Sequence, residues 1–153
     1  SVLLGCALQF GAIIANSSID KQSLIYDFGI NLGLAFQIQD DILDLYGDSE
    51  KIGKKIGGDI LNNKKTILSV VANDLANISQ KKELLQLSKI SDPILKISKT
   101  TDFYNQLKVL DYCKKISKKY SDNAIASLNK SFKEKKSSSI LYKLAEALLV
   151  RRH

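Results

Sequence analysis

The sequence predicts an all-α fold, a helical bundle, and three observations support this prediction. One proline among 153 residues is far below the usual share of about 5% and favours long, uninterrupted helices. Apolar residues recur at helical spacing in several segments, and no segment alternates with period two for long enough to indicate a strand. With 44% apolar and 25% charged residues, the chain has an ordinary globular composition. Its length fits one domain or about half of a larger one.

Two helices are predicted before residue 47. Ser1–Ala15 is apolar nearly all round and contains small residues that let a neighbouring helix approach, so we expect a buried helix. Residues 16–18 form a turn signal. Lys21–Tyr46 then has the broad apolar face of a long helix. Gly29 and Gly33 lower its helix propensity, and we expect close packing to be the reason for them.

The remaining chain is predicted to be a loop followed by four helices. Gly47–Thr66 is rich in glycine and lysine and indicates a loop, with at most one helical turn. Ser91-Asp92-Pro93 is expected to break the chain, and Thr101 or Asp102 is expected to cap the long helix that follows. The four helices are predicted over Thr66–Ile78, Lys82–Ile90, 103–128 and Ile140–Val150, the last capped within Ser137–Ser139.

The sequence carries no membrane or export signal. The apolar run Val2–Ala15 has 14 residues with Gln9 among them, whereas a spanning helix needs about 20, and no basic stretch precedes it as in a signal peptide. Cys6 and Cys113 form neither a disulfide framework nor a zinc spacing. We therefore predict no membrane span and a cytoplasmic location with reduced thiols.

Charge is divided unevenly along the chain. Residues 1–50 hold one lysine and seven acids, a net charge of −6, and residues 51–153 hold 22 Lys/Arg and nine acids, a net charge of +13. This division favours a site that holds a cation and an anion together over a general nucleic-acid surface. The lysines of 114–119 and 130–136 have few aromatic neighbours, so they are interpreted as solvated surface charge, and no nucleic acid is expected as a partner.

Four polar residues interrupt the apolar helix Lys21–Tyr46 near its end. At about 100° per residue, they project within a sector about 100° wide. They are Gln37, Asp40, Asp41 and Asp44. Carboxylates packed this closely repel one another, and more strongly where solvent is excluded. The cluster is either a solvated or lysine-paired helix end, or a site for Mg²⁺, which proteins hold with one or two carboxylates plus phosphates. Zinc is not expected without a nearby His or Cys.

A glycine- and lysine-rich segment follows the acidic cluster. It contains Gly53-Lys54-Lys55-Ile56-Gly57-Gly58-Asp59 and then Asn62-Asn63-Lys64-Lys65-Thr66. Lysine offers compact positive charge to phosphate, and glycine lets the backbone approach an anion. Thr66 begins a helix whose N-terminal amides favour negative charge. Alone, this segment fits a polar surface loop, but the two segments together predict a site for a magnesium-bound diphosphate.

The run Phe36-Gln37-Ile38-Gln39-Asp40-Asp41-Ile42-Leu43-Asp44 resembles the second aspartate-rich motif of the trans-isoprenyl (polyprenyl) diphosphate synthases. This family includes the farnesyl and geranylgeranyl diphosphate synthases. Residues 53–59 and Lys64 are similar to its downstream lysine loop. The resemblance covers the whole chain, with its specific motifs in residues 36–66. It implies the C-terminal portion of the all-α isoprenoid synthase fold, which has a central cavity, and usually a homodimer.

The resemblance implies a role for each residue of the acidic motif. Asp40 and Asp44 would bind the Mg²⁺ that bridges the diphosphate, and Asp41 would support that site. Phe36 and Gln37 would line the substrate cavity.

Basic residues are implied to contact the diphosphates. Lys64 would be one of them, and the family's other loop lysine falls at Lys54 in some members and at Lys55 in others. The family often ends in a basic tail that closes over the isopentenyl diphosphate site. Arg151 fits this tail, whereas the last lysine of the pattern is replaced by His153.

The implied reaction is the condensation of isopentenyl diphosphate with an allylic diphosphate. Ionisation of the allylic C–O bond, assisted by Mg²⁺, gives a carbocation that isopentenyl diphosphate attacks. The family's first aspartate-rich motif would precede Ser1. Because the chain also lacks Met and begins inside an apolar run, we expect residues 1–153 to be the C-terminal half of a synthase and to be inactive alone.

Three other classes of protein are compatible with parts of this pattern. A non-catalytic partner subunit of a heteromeric prenyl diphosphate synthase would be distinguished by a degraded first aspartate-rich motif. A head-to-head condensing or cyclising terpene synthase shares acidic helices but is not expected to have the lysine loop. A basic helical module for nucleic acid would show salt-dependent binding to duplex DNA even without Asp40 and Asp44.

Overall fold

The computed structural model describes residues 1–47, 56–132 and 139–149, and all regular secondary structure in these ranges is helical. The described helices are α1 (Val2–Ile14), α2 (Ile19–Tyr46), α3 (Gly58–Leu61), α4 (Ile67–Leu75), α5 (Ile78–Leu87), α6 (Pro93–Gln106), α7 (Val109–Ser131) and α8 (Ser139–Leu149). No strand occurs within these ranges. The all-α prediction is therefore confirmed.

One unit of the chain comprises residues 1–39 and 116–152. Its core is built from α2, α7 and α8, and α1 packs against that core with partly buried side chains. The buried core residues are Ile25, Phe28, Leu32, Ala124, Leu128 and Ala145. Full burial of a side chain such as Phe28 or Leu32 stabilises the fold by about 1.5–3 kcal/mol.

Glycines allow α1 and α2 to approach closely. A Cβ added to Gly29 would lie 2.7 Å from the Cα of Gly5, and one added to Gly33 would lie 2.6 Å from the Cα of Ser1. Both distances are far below van der Waals contact, so neither position accommodates a side chain without movement of the backbone. The predicted reason for these two glycines, close packing, is confirmed.

The predicted burial of α1 nearly all round is wrong. Gly5 is its one buried residue, and Leu3, Phe10 and Ile14 are 86%, 64% and 81% exposed. Apolar composition shows that a helix can be buried, but it does not show which faces have a neighbour. No helix in the described part of the chain, α1 included, is long and apolar enough to span a membrane.

A second unit comprises residues 40–115. Within it, α3 and α5 both pack against α6. Its buried apolar residues include Leu68, Val71, Ala72, Leu87, Phe103, Tyr104, Val109 and Cys113. Burial raises the pKa of Tyr104 to about 12 and that of Cys113 to about 11. Both side chains are therefore uncharged at neutral pH.

The prediction of one long helix capped at Thr101 or Asp102 is wrong. Both residues lie inside α6, which begins earlier, where Asp92 accepts a hydrogen bond from the Leu95 N–H at 2.9 Å. Proline is favoured in the first turn of a helix because its missing N–H has no helical partner there. Asp92-Pro93 therefore starts a helix here. The single helix predicted over 103–128 is divided at Lys108, whose φ of 54° separates α6 from α7.

Two capping boxes set the limits of α4 and α5. Thr66 caps α4, which places the helix start within one residue of the prediction, and Asn77 caps α5 through reciprocal hydrogen bonds with Gln80. Because α4 ends at Leu75 and α5 spans Ile78–Leu87, the predicted end at Ile78 and both predicted bounds of Lys82–Ile90 were too late. The helical turn within Gly47–Thr66 is present as α3. The cap predicted within Ser137–Ser139 falls outside the side chains that the structure describes.

We expect Gly29→Ala to lower the free energy of unfolding by about 1–2 kcal/mol. The overpacking cost of about 1–3 kcal/mol exceeds the gain of up to about 1 kcal/mol in helix propensity, because the new Cβ meets the backbone of Gly5. Thermal unfolding measures the difference. The matched control is Gly11→Ala in α1, where nothing lies within 4 Å of the new Cβ, and its midpoint should stay or rise. Equal midpoints for the two variants would contradict the close approach.

Candidate functional site

Asp41 links the end of α2 to the start of α4. Its side chain is buried, and its Oδ2 accepts a hydrogen bond from the Ile67 backbone N–H at 3.1 Å. Ile67 is the first residue of α4, and the N–H groups of the first helical turn have no partner within the helix. They also form the positive end of the helix dipole, which stabilises a nearby carboxylate. Asp41 therefore supplies both an acceptor and a favourable charge to this helix end.

The residues of α4 itself fix where that helix begins. Thr66 Oγ1 accepts from the Ser69 N–H at 3.3 Å, and Ser69 Oγ accepts from the Thr66 N–H at 3.0 Å. This capping box satisfies two N–H groups that the helix leaves without partners. Lys64 lies two residues before the cap. A fixed helix start therefore also limits where Lys64 can lie.

Asp44 binds the backbone that leads into α3. Its Oδ2 accepts from the Asp59 N–H at 3.0 Å, and its backbone oxygen accepts from the Gly57 N–H at 2.7 Å. Gly57 has a φ of 79°, a value that favours glycine, and a Cβ there would lie 2.8 Å from the Ile97 side chain. The bare Cα of Gly57 therefore lets the segment turn back onto Asp44.

Lys64 supplies positive charge among these carboxylates. Its Nζ donates to Asp59 Oδ2 at 2.8 Å and lies 3.7 Å from Asp41 Oδ1. The hydrogen bond to Asp59 and the attraction of Asp59, Asp41 and Asp44 raise the pKa of Lys64, against a smaller effect of burial. The ammonium therefore remains charged at neutral pH. Its side chain is 51% exposed, so water screens these attractions.

The pKa of Asp44 is raised above its ordinary value. Burial is the largest cause, and the neighbouring carboxylates of Asp59 and Asp41 add to the rise. The Asp59 N–H and the Lys64 ammonium lower the pKa but do not offset the rise. The ionised form of Asp44 is therefore less stable here than in water, and a bound cation would stabilise it.

The structure brings three of the sequence-predicted residues together: Asp41, Asp44 and Lys64. Asp40 is exposed on α2, one turn before Asp44. In the other unit, Phe36 is half-buried and Gln37 is exposed.

Three predicted residues, Lys54, Lys55 and Arg151, lie outside the described residues. The structure therefore gives no geometry for the loop lysines or for the basic tail that the sequence predicts.

Sequence reasoning assigned no role to Asp59, which holds Lys64 at 2.8 Å and donates its backbone N–H to Asp44. The available signal was a carboxylate directly after the glycine pair and five residues before Lys64. The role of Asp59 depends on the turn at Gly57, and no periodic pattern encodes that turn.

Asp40 and Asp44 have the chemistry that Mg²⁺ requires of protein ligands. They are four residues apart on α2 and so share one face of the helix. Within the described ranges, no three His, Cys, Asp or Glu side chains converge on a metal-binding geometry. A pair of carboxylates fits Mg²⁺, because this ion usually keeps several waters and takes its remaining ligands from phosphate.

Known proteins resemble this chain over all or most of its length. The family described as polyprenyl synthetase matches residues 1–107. The geranylgeranyl diphosphate synthase of Sulfolobus acidocaldarius is 37% identical over 154 residues, which cover 99% of this chain and 46% of that protein.

Solved structures agree with the sequence matches. A crystal structure of a geranylgeranyl pyrophosphate synthase has a TM-score of 0.85 and 36% identity, and the match covers 100% of this chain and 48% of that one. The geranylgeranyl pyrophosphate synthetase of Pyrococcus horikoshii has a TM-score of 0.87 and 29% identity, covering 98% of this chain and 45% of that one.

These matches confirm the resemblance that residues 36–66 carry, since that segment lies inside the matched range 1–107. They also identify the described helices as part of the isoprenoid synthase fold. The chain spans about half the length of the relatives that it matches. The chain belongs to the polyprenyl synthetase family.

Proposed function

We propose that this chain is the C-terminal half of a prenyltransferase that condenses isopentenyl diphosphate with an allylic diphosphate. The observation that carries the proposal is the placement of the Lys64 ammonium beside the carboxylates of Asp41 and Asp59, next to Asp44. A site that binds a cation and an anion together needs neighbouring groups of opposite charge. Relatives of this chain are named as synthases of isoprenyl diphosphates, which supports the same class of reaction.

In this proposal, Asp40 and Asp44 hold Mg²⁺. When bound, the ion supplies Lewis-acid stabilisation of the charge on the departing diphosphate. The raised pKa of Asp44 supports its part, because an adjacent cation would stabilise the ionised carboxylate that burial disfavours. The exposure of Asp40 supports its part, since a carboxylate at the surface can reach an ion that keeps most of its waters.

Lys64 would bind the diphosphate directly. Its side chain is half-exposed and is held by one short contact, to Asp59 at 2.8 Å. A rotation about the flexible side chain could therefore exchange Asp59 for a phosphate oxygen without movement of the backbone. Lys54 or Lys55 and, in the basic tail, Arg151 would add further positive charge.

The proposed reaction replaces the allylic C–O bond with a C–C bond. The C–O bond breaks, and its electron pair leaves with the diphosphate. The double bond of isopentenyl diphosphate then supplies the electron pair of the new C–C bond to the allylic carbon. A neighbouring C–H bond loses its proton to a base, and its electron pair forms a new double bond in a product five carbons longer. Phe36 and Gln37 would line the cavity that holds the isoprenoid chain of the substrate.

We further propose that the whole protein acts as a homodimer, which the family resemblance implies, and that it acts in the cytoplasm.

Asp41 would support the site without binding the metal. Its Oδ2 is engaged by the Ile67 N–H, and its Oδ1 faces Lys64 at 3.7 Å. The carboxylate thus holds the start of α4 and the lysine next to the metal-binding face. Within the acidic motif, substitution of Asp41 should therefore reduce stability, whereas substitution of Asp40 should reduce metal binding.

The same residues would also serve a non-catalytic partner subunit of a heteromeric synthase. The sequence upstream of Ser1 distinguishes the two functions, because an intact first aspartate-rich motif is needed for ionisation and a partner subunit could lose it.

In the full-length protein, we expect Asp40→Ala to lower turnover by about a hundredfold or more, because one of two metal ligands is lost. The Mg²⁺ concentration that gives half-maximal activity should rise as well. Steady-state assays with isopentenyl diphosphate and an allylic diphosphate measure both quantities.

The control for Asp40→Ala is Asp122→Ala on α7, which removes an exposed carboxylate paired with Lys118 at 2.8 Å. This control should keep the parent's kinetics, and both variants should keep the parent's circular dichroism. Unchanged turnover and unchanged Mg²⁺ dependence in Asp40→Ala would refute the metal-binding role.

Asp41→Ala should instead destabilise the fold, by about 1–3 kcal/mol, because it leaves the Ile67 N–H without its acceptor. Relief of repulsion towards Asp44 places the net loss at the lower end of that range. Asp41→Asn keeps an acceptor and should lose less, and Asp40→Ala should stay within about 0.5 kcal/mol of the parent. Chemical denaturation measures all three. If Asp40→Ala lost as much stability as Asp41→Ala, the division of roles would be wrong.

Residues 1–153 purified alone should show no condensation of isopentenyl diphosphate with dimethylallyl diphosphate. The chain covers about half of its relatives, and the first aspartate-rich motif of the family is not in it. A radiolabel assay for extended products tests this expectation, with the full-length protein as the positive control. Product formed by the isolated chain would show that residues 1–153 suffice for catalysis.

A further inference from the structure

A cavity of about 330 Å³ lies within the unit of residues 40–115. Its walls come from the segment before α4 and from helices α4, α5 and α6. The volume is at the lower end of the range of about 300–1,000 Å³ that is typical of small-molecule sites. The cavity does not include Asp40, Asp41 or Asp44.

The charged residues that line this cavity are mainly positive. They are Lys64, Lys65, Lys81, Lys96 and Asp59. Lys64 is already bound to Asp59, so these two largely offset each other. Three lysines contributed by three different parts of the chain remain, and convergence of positive charge from separate elements favours an anion.

Lys96 is the least expected of these lysines because it is buried, with 6% of its surface exposed. Its Nζ donates to the Leu61 backbone oxygen at 3.4 Å, which engages one of the three N–H donors of an ammonium group. None of the ion pairs among the described residues includes Lys96. A buried charge costs free energy unless it is paired, so an anionic occupant would stabilise this lysine.

Hydroxyl groups also line the cavity, on Thr66, Ser69, Ser88, Thr100 and Tyr104. The Ser69 and Ser88 hydroxyls donate to the backbone oxygens of Thr66 and Leu85, so Thr66, Thr100 and Tyr104 are the hydroxyl donors that an anion could use. Burial raises the pKa of Tyr104 to about 12, so this hydroxyl keeps its proton at neutral pH and can donate. Lysine ammonium groups and hydroxyls both donate hydrogen bonds, and phosphate oxygens accept them.

We propose that this cavity is a binding site for a phosphate group that shares Lys64 with the diphosphate site but does not involve the carboxylates of the acidic motif. Lys96 and Lys81 would bind the anion from α6 and α5, and no metal ion is required. The proposal does not rest on the proposed function, because neither Lys96 nor Lys81 has a role in the condensation.

The test is a calorimetric titration of the full-length protein with inorganic phosphate at constant ionic strength, with EDTA present to remove divalent ions. We expect saturable binding. Lys96→Met should raise the Kd by about tenfold, the loss of one charge-assisted hydrogen bond. The matched control is Lys99→Met, an exposed lysine of α6 that does not line the cavity, and its Kd should equal that of the parent. Lys81→Met removes an exposed lysine and gives a second test should Lys96→Met fail to fold.

Three results would overturn the proposal. They are the absence of saturable phosphate binding, equal weakening by Lys99→Met and the cavity variants, and loss of phosphate binding in Asp40→Ala. The last result would locate the anion at the acidic motif. Because Asp40→Ala should lower turnover while keeping phosphate binding in EDTA, failure of this site and failure of the proposed function give different results.

Discussion

The hydrogen bond from the Ile67 N–H to the buried carboxylate of Asp41 is the contact on which the site depends. It joins the acidic end of α2 to the positive end of α4, and it brings Lys64 within reach of the same carboxylate. Without a helix N-terminus at this place, closely spaced carboxylates would repel one another with less compensation. The contact therefore offsets part of the repulsion between the carboxylates at the end of an otherwise apolar helix.

The four carboxylates near the end of α2 have different surroundings. Asp41 and Asp59 bind protein groups, the Ile67 N–H and the Lys64 ammonium. Asp44 is bound by one N–H of the backbone and has a raised pKa, and Asp40 is exposed. Asp44, one of the two carboxylates that the family resemblance assigns to Mg²⁺, is therefore in surroundings where a cation would stabilise the ionised form. Identical residue types acquire different roles because burial and backbone donors differ between neighbouring positions on one helix.

Much of this arrangement could be predicted from sequence, because helical periodicity places Asp40, Asp41 and Asp44 on one side of α2 whatever else the chain does. The close approach at Gly29 was predictable for a similar reason, since glycine within a helix rarely has another cause. Other features depend on contacts between distant residues. The exposure of Leu3 and Phe10 is set by the absence of a neighbour in the described structure, and composition does not record neighbours.

Some errors came from signals with two meanings. Asp92-Pro93 can end one helix or begin the next, and the side-chain cap on Leu95 decides the case. Lys108 divides α6 from α7 with a positive φ, although lysine is not a residue that marks such turns. The role of Asp59 and the burial of Lys96 likewise follow from how α3 meets Asp44 and α6, which is tertiary information.

A crystal structure of the full-length protein with Mg²⁺ and an unreactive allylic diphosphate analogue would show which carboxylates bind the metal. We expect a metal ion about 2.0–2.1 Å from carboxylate oxygens of Asp40 and Asp44, the usual Mg²⁺–oxygen distance. Asp41 should still accept its hydrogen bond from Ile67, and Lys64 should contact the diphosphate. A metal ion bound by Asp41 with the Ile67 contact broken, or no metal at the end of α2, would contradict the roles assigned to these residues.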